Sequence, residues 1–226
     1  MRETLTQQQI DAACRLHARL DQWRASDDAI IHLRTIVPTF DSTACLLKTV
    51  TINTLYSTRV FAVVRMGAHI ERVMARTDPE SAGLGLVDEI AALPADVGAK
   101  TRRHTSFASK FCRFFVNEDR FPIYDEAARN AIGLHIGRVG RGDSGASSYA
   151  GFVEKIDMVR RNFGILCTGR ELDRYLWITG MYLKWLKEID KSRPIMNREI
   201  SALFTEPRGS VAEDLEQMLP CCLRMG

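Results

Sequence analysis

The chain of 226 residues has little of what marks several classes of protein. Its longest apolar runs, such as Val60 to Val64, fall far short of the ~20 residues that a membrane span needs. The first residues are polar, so we expect no secretory signal. The six cysteines form no CxxC pair and no histidine lies at zinc spacing. These absences predict reduced thiols in a cytoplasmic protein that holds no metal and no other cofactor.

Charge and composition do not identify a partner. The chain carries 31 Lys and Arg against 28 Asp and Glu, a formal net charge of +3. Its 46% hydrophobic and 26% charged residues are typical of globular proteins. The length suits one large or two small domains. A charge of +3 excludes neither nucleic acid nor a small neutral substrate as a partner. The position of the positive charge along the chain is therefore more informative than its total.

The apolar pattern predicts an all-α fold. No segment alternates as a strand does, whereas apolar residues recur every three or four positions almost throughout. Thr6 and Thr168 each begin a capping box, with a Gln or Glu three residues later. Asp41 or Ser42 and, further on, Asp125 are the expected N-caps of two more helices.

Two regions need a separate interpretation. The first helix is predicted to continue from Thr6 as far as Trp23. The glycine-rich stretch 137–148 is predicted to be a flexible loop or hinge. Within it Gly140–Gly145 matches GxGxxG, but a helix and not a strand precedes the match, so it does not indicate a dinucleotide site.

The positive charge is concentrated between Lys100 and Arg113, where five basic residues occur without an acid. A basic segment that leads into a helix N-terminus is a natural phosphate site, although a solvated basic turn has the same pattern. The candidate DNA contacts are Lys100, Arg102, Arg103, His104 and Ser106.

Asp125 follows the apolar segment 121–124 and precedes a predicted helix. A carboxylate in this position is stabilised by the N–H groups and the dipole of the helix. It can be a plain N-cap or a group that takes part in chemistry. A basic turn, one helix, and then an aspartate after an apolar segment containing proline favour the second interpretation.

These segments resemble a known family. Ser106-Phe-Ala-Ser-Lys-Phe, followed by Phe121-Pro-Ile-Tyr-Asp125, resembles the catalytic segment of helix-hairpin-helix DNA glycosylases. The segment around Asn53 is similar to the 8-oxoguanine DNA glycosylase branch. The resemblance covers roughly residues 45–190. It implies a two-lobed helical bundle that forms one unit over residues 1–226. Its lobes would lie near 42–140 and at 1–41 with 148–226.

The resemblance also implies roles. Asp125 would stabilise the oxocarbenium ion and orient water as the bond to the base breaks. The base would first be flipped out of the duplex, and Asn53 would fill the vacated space. The other implied contacts to the flipped base are Tyr56, Tyr124, Arg174 and Trp177.

This sequence differs from the family pattern at two places, and both differences affect the expected mechanism. Arg103-His104-Thr105 stands where the family has a glycine hairpin, so the phosphate grip is altered. Ser106 occupies the place of the nucleophilic lysine of bifunctional members. Lys110 is a second candidate catalytic residue, but it lies only 15 positions before Asp125. A monofunctional mechanism without a Schiff base is therefore expected.

Together these features predict a DNA glycosylase, a hydrolase that excises a modified base from double-stranded DNA. Its role would be repair, or defence against phage DNA that carries modified bases. We expect a cytoplasmic, nucleoid-associated monomer without membrane contact. The alternative is a non-catalytic helical DNA-binding protein on the same scaffold.

Overall fold

The computed structural model describes residues 3–94, 102–137, 148–189 and 196–223. These residues form helices and no strand, which confirms the all-α prediction. The α-helices are α1 (Gln7–His17), α2 (Asp21–Ile36), α3 (Ser42–Leu55), α4 (Val63–Met74), α5 (Gly85–Ala91), α6 (Thr105–Phe115), α7 (Glu126–Ile136), α8 (Ser148–Phe163), α9 (Gly169–Glu188), α10 (Arg198–Thr205) and α11 (Ser210–Met218). A short 3-10 helix covers Cys221–Leu223. Lys100 and the GxGxxG match lie outside the described residues.

The chain divides into two compact units. Unit 1 consists of Met1–Arg24 and Asp125–Gly226, and unit 2 of Ala25–Tyr124. One division falls within α2 and the other directly before Asp125. The predicted single unit with lobes near 42–140 and at 1–41 with 148–226 stays a prediction.

Unit 1 is arranged around α9, whose apolar face packs against α1, α7 and α10. The closest approach joins α9 to α7, because a Cβ on Gly180 would lie only 2.2 Å from the carbonyl oxygen of Ala127. At the other side of α1, Arg15 and Arg19 both donate to the carboxylate of Asp214 on α11, at 2.7 and 2.9 Å. Segments from both ends of the sequence thus share one core.

Unit 2 is built from two helix pairs. α4 runs back along α3, and a Cβ on Gly67 would lie 3.1 Å from the Cα of Leu46. α5 packs against α6, and the N–H of His104 donates to the carbonyl of Ala91 at 3.0 Å. The core between the pairs is lined by phenylalanines of α6, including the buried Phe111.

The four predicted helix starts are confirmed. Thr6 and Thr168 form complete capping boxes, and Asp41 and Asp125 each accept a hydrogen bond from an N–H of the first turn. The predicted continuation of the first helix to Trp23 is wrong. α1 ends at His17, and the chain turns through residues 18–20 with tighter i to i+3 bonds before α2 begins.

All six cysteines are free thiols. In the part of the chain that the structure describes, no helix is both long enough and apolar enough to cross a membrane.

Candidate functional site

Asp125 is the N-cap of α7 and has an extended backbone. Its Oδ1 accepts a hydrogen bond from the N–H of Ala128 at 2.9 Å, which fixes the direction of the carboxylate. The side chain is half-buried, and Arg129 donates through Nε to the backbone carbonyl of Asp125 at 3.3 Å. An oriented carboxylate at the positive end of a helix dipole is suited to stabilising a developing cation nearby.

The backbone of α7 reaches α9 two residues after Asp125. Ala127 touches Gly180, and Trp177 lies one helical turn before Gly180 on α9. Asp125, Arg174 and Trp177 therefore belong to the same unit and to two helices in direct contact.

Trp177 is half-buried in a group of aromatic side chains. Its ring centroid lies 4.7 Å from that of Trp23, and 6.0 Å from that of His17 in an edge-on arrangement. Trp23 lies in the first turn of α2 and His17 is the last residue of α1, so the three rings join three segments of unit 1. Such a group offers π-faces on which a planar ligand can stack.

Arg174 lies one turn before Trp177, beside Cys14 and His17 of α1. Among the described residues, the buried Nε of Arg174 and the Nδ1 of His17 have no hydrogen-bond partner. Burial raises the pKa of the Cys14 thiol, against the opposing positive charge of Arg174. Both nitrogens are enclosed by protein atoms, so they belong to the interior of unit 1 where α1 and α9 pack together.

His17 is 7% exposed. Its burial, together with the positive charges of Arg174, Arg170 and Arg24, lowers its pKa to about 4. The ring is therefore neutral at pH 7, and it acts as a hydrogen-bonding group and not as a cation.

This shifted pKa predicts acid sensitivity. Unfolded His17 takes up a proton near pH 6.5, whereas folded His17 resists protonation down to about pH 4. Protons therefore favour the unfolded state below pH 6.5. Stability present above that pH is lost as the pH falls toward 4, by up to about 3 kcal/mol. Urea unfolding at pH 7 and pH 4.5 measures the loss, and His17→Gln should reduce it.

The matched control is His32→Gln, which replaces an exposed histidine of α2 and should leave the pH dependence unchanged. Some loss remains in His17→Gln, because burial also lowers the pKa of His135. If His17→Gln and the parent protein lose the same stability on acidification, His17 is not the responsible group.

The structure separates the basic residues of the predicted DNA-binding segment into two kinds. Arg102 and Arg103 are exposed, and Arg103 donates to Asp88 on α5 at 2.9 Å. Lys110 is only 4% exposed, and its Nζ donates to Ser106 Oγ at 3.0 Å. Arg113 is buried too and donates to the carbonyl of Glu118. The exposed charge thus lies before α6 and not along it.

His104 precedes α6 as its N-cap residue, without a side-chain capping bond. Burial and the charge of Arg102 lower its pKa. Ser106 is half-buried in the first turn. These two side chains and the exposed arginines are the groups of the segment that are available to a phosphate.

Asn53 and Tyr56 hold local structure in unit 2. Asn53 Oδ1 accepts from Thr58 Oγ1 and from the N–H of Val60, each at 2.9 Å, and its Nδ2 donates to the Val60 carbonyl at 3.1 Å. The Tyr56 hydroxyl donates to Asp27 at 2.5 Å. Asn53 fixes the turn between α3 and α4, whereas Tyr56 ties the end of α3 to α2.

Tyr124 is the last residue of unit 2. Its N–H donates to the buried hydroxyl of Ser109 on α6 at 3.0 Å. Ser109 in turn donates to the Ser106 carbonyl, so the extended segment before Asp125 is tied to α6 by its backbone. The side chains of Asn53, Tyr56 and Tyr124 therefore belong to unit 2, whereas Asp125, Arg174 and Trp177 belong to unit 1.

The sequence-based predictions did not include three residues near these sites. His17 and Trp23 are more than 150 positions from the Trp177 that they contact. Gly180 interrupts an apolar helical pattern, and an isolated glycine in a helix often marks close packing. The glycine therefore indicates close packing at this position of α9, but it does not indicate that α7 is the segment that packs there.

No group of three or more His, Cys, Asp and Glu side chains in the described ranges could hold a metal ion. The groups that the structure brings together in unit 1 are instead a carboxylate, an arginine, a neutral histidine and indole rings.

Part of the chain is similar to a known protein family. Residues 9–120 match a family model named HI_0787_N and described as an N-terminal domain. The match includes Asn53 and Lys110 but ends before Asp125 and the whole of α9. No curated protein and no solved structure matches the chain.

Proposed function

We propose that the protein is a DNA glycosylase, which hydrolyses the bond between a modified base and its sugar in double-stranded DNA. The observation that carries the proposal is the place of Asp125. Its oriented carboxylate begins α7, whose next turn touches α9 one turn from Trp177. The resemblance of the Ser106–Lys110 and Phe121–Asp125 segments to the family supports the same assignment.

The chemistry follows from the charge that develops on the sugar. As the bond between C1′ and the base nitrogen breaks, its electron pair leaves with the base and the sugar becomes an oxocarbenium ion. Asp125 stabilises this cation and accepts a proton from the water that forms the new C1′–O bond. The departing base takes up a proton from solvent, so the products are an abasic site and the free base.

Unit 1 also carries groups suited to an unstacked base. Trp177 and Trp23 are half-buried and offer ring faces beside the neutral ring of His17. A base must leave the duplex before such groups reach it, and a mismatched or damaged base costs less to extrude. Tyr56, Tyr124 and Asn53 remain the base contacts that the resemblance implies for unit 2.

In unit 2 we assign phosphate binding to Arg102, Arg103, His104 and Ser106. The two arginines are exposed and the other two side chains are half-buried. Contacts of this kind hold a duplex without reading its sequence, and they weaken as salt is added.

The test is incubation of the purified protein with a panel of duplexes, each carrying one oxidised, alkylated or hypermodified base. Alkali then cleaves the strand wherever an abasic site has formed. We expect cleavage of at least one modified duplex and none of the unmodified duplex. No cleavage of any duplex in the panel, with the protein bound to DNA, would overturn the assignment.

Lys110 yields a separate prediction. Its Nζ is bonded to Ser106 Oγ, and the side chain is almost fully buried. A Schiff base requires the amine to reach the sugar, so we expect borohydride to trap no protein–DNA adduct. An adduct that disappears in Lys110→Ala would instead show a lyase step that uses this lysine.

One observation favours the second candidate function, a non-catalytic DNA-binding protein. Asp125 already has a structural role as the N-cap of α7, and this role alone can account for its presence. This candidate predicts salt-dependent binding through Arg102 and Arg103, and no released base from any duplex.

A further inference from the structure

Two arginines lie on α9 beside the place where this helix packs against α1. Arg170 and Arg174 are one helical turn apart and half-buried, and the charges of both act on His17 of α1. Neither forms an ion pair with a carboxylate in the part of the chain that the structure describes. Guanidinium groups that are partly withdrawn from water gain free energy when an anion pairs with them.

The charges that act on His17 all have one sign. Burial lowers the pKa of His17 most, and the charges of Arg174, Arg170 and Arg24 lower it further. Asp21 lies 3.6 Å from Arg24 and offsets that cation. The positive charge that remains beside the histidine ring is therefore that of the two arginines on α9.

Two carboxylates lie near this face, but they act on Cys14 and not on His17. Burial raises the pKa of the Cys14 thiol most, and the charges of Glu171 and Asp11 raise it further. Glu171 accepts two hydrogen bonds from Thr168 in the capping box, at 2.8 and 2.9 Å, and Asp11 is exposed to solvent. The uncompensated positive charge thus lies on the His17 side of the contact between α1 and α9.

Indole rings continue the same side of α9. Trp177 lies one turn after Arg174, and its ring centroid lies 4.7 Å from that of Trp23. Both rings are half-buried, so part of the surface of each is accessible. A planar ring with an anionic substituent can stack on the indoles while a guanidinium group binds the substituent.

We propose that the modified base carries an acidic substituent, which Arg170 and Arg174 bind while the ring of the base stacks on the two indoles. A carboxylate suits these arginines best, because a guanidinium fork can donate two parallel hydrogen bonds to it. 5-Carboxycytosine is a base of this class. The inference rests on the proposed function, since it names the substrate class of the same site.

The same groups disfavour a cationic base. An alkylated base such as 7-methylguanine carries a positive charge, which the two arginines repel. A neutral base such as 5-methylcytosine gains the stacking on the indoles but no pairing with a guanidinium group. The expected order of affinity therefore runs from acidic through neutral to cationic bases.

The experiment uses the full chain carrying Asp125→Asn, so that no base is released during binding. It compares two duplexes that differ in one base, which is 5-carboxycytosine in one and 5-methylcytosine in the other. Because the phosphates are the same in both, the ratio of the two affinities measures recognition of the carboxylate. We expect a ratio on the order of 10 in favour of 5-carboxycytosine, and a ratio of about 1 when Arg174→Gln is added. Equal affinity of the Asp125→Asn protein for the two duplexes would overturn the proposal.

Arg161→Gln is the matched control, because Arg161 is exposed near the end of α8 in unit 1 and is not among the charges that act on His17. It removes the same charge, so it should affect both duplexes alike and keep the ratio. Arg170→Gln provides a second test, since it leaves the hydrogen bond between Arg174 and Cys14 in place. A ratio that neither α9 substitution lowers would contradict the assignment.

The titration of His17 gives a readout that needs no DNA. Burial and the arginine charges hold its pKa at about 4, and a carboxylate bound by the arginines offsets those charges, so it should raise the pKa. NMR titration of the histidine ring, with free 5-carboxycytosine or free 5-methylcytosine added, measures the change. We expect a rise with 5-carboxycytosine alone. A rise of the same size with inorganic phosphate would show a general anion site and overturn the assignment to a base.

The two proposals fail separately. Binding that prefers 5-carboxycytosine and depends on Arg174, with no base released from any duplex, would overturn the glycosylase assignment and support the acidic ligand. Release of a neutral or cationic base, with equal affinity for the two duplexes, would do the reverse.

Discussion

Gly180→Ala is expected to lower the free energy of unfolding by on the order of 4 kcal/mol or more, or to prevent unit 1 from folding. The added Cβ would lie 2.2 Å from the oxygen, and 2.4 Å from the carbon, of the Ala127 carbonyl. These are backbone atoms in the first turn of α7, so no side-chain rotation relieves the overlap. α7 and α9 would have to separate. Urea unfolding followed by far-UV circular dichroism measures the effect.

Gly151→Ala is the matched control, in α8 of the same unit. A Cβ there meets no atom within 4 Å, and alanine is the better helix former by about 1 kcal/mol. The control should therefore be neutral or slightly stabilising. Equal stability of Gly180→Ala and Gly151→Ala would show that α7 and α9 do not approach as closely as described.

Asp125→Asn is expected to reduce base excision by about 10²-fold to 10⁴-fold while leaving the fold intact. Asparagine caps a helix as well as aspartate does, so the free energy of unfolding should change by less than about 1 kcal/mol. The amide cannot accept a proton from water or stabilise a cation as a carboxylate does. Single-turnover release of the base from the duplex identified in the panel measures the loss.

Asp41→Asn separates the capping role from the chemical one. Asp41 caps α3 through Oδ1 and the N–H of Ala44 at 2.9 Å, the same distance that joins Asp125 to Ala128. The two substitutions should cost similar stability, and only Asp125→Asn should cost activity. If both variants excise the base at the parent rate, Asp125 is an N-cap and nothing more.

The helix starts could be predicted because their bonds are local. Thr6, Asp41, Asp125 and Thr168 each bond to an N–H three residues ahead, a distance fixed by the helix itself. The break after His17 could not be predicted in this way. No glycine or proline marks residues 18–20, and the apolar spacing continues through them to Trp23.

Burial of charge was the other property that the sequence did not reveal. Lys110 and Arg113 contribute to the basic segment by count, yet their side chains lie inside unit 2 among the aromatic residues of α6. Lys110 Nζ lies 5.6 Å from the centre of the Tyr56 ring, a partner 54 positions earlier. Long basic side chains bury their stems readily where a polar partner meets the head, and such partners depend on the tertiary fold.

The candidate site also depends on contacts between segments that are distant in the sequence. Asp125, Arg174 and Trp177 were identified from the resemblance. The aromatic side chains that contact Trp177 are those of His17 and Trp23, which lie in the N-terminal segment of unit 1. A sequence shows which side chains share a helix face. It does not show which distant helix completes the surface.

The division of the chain has a consequence for its synthesis. Unit 2 is one continuous segment, whereas unit 1 joins Met1–Arg24 to Asp125–Gly226. Ile10 and Leu16 of α1 are fully buried in unit 1, and α1 packs against α9 and α11. During synthesis, the whole of unit 2 leaves the ribosome before α9 and α11, the packing partners of α1, have been made. These partners begin more than 150 residues after the end of α1. The order of folding that we expect is therefore the inner segment first and the first helix last.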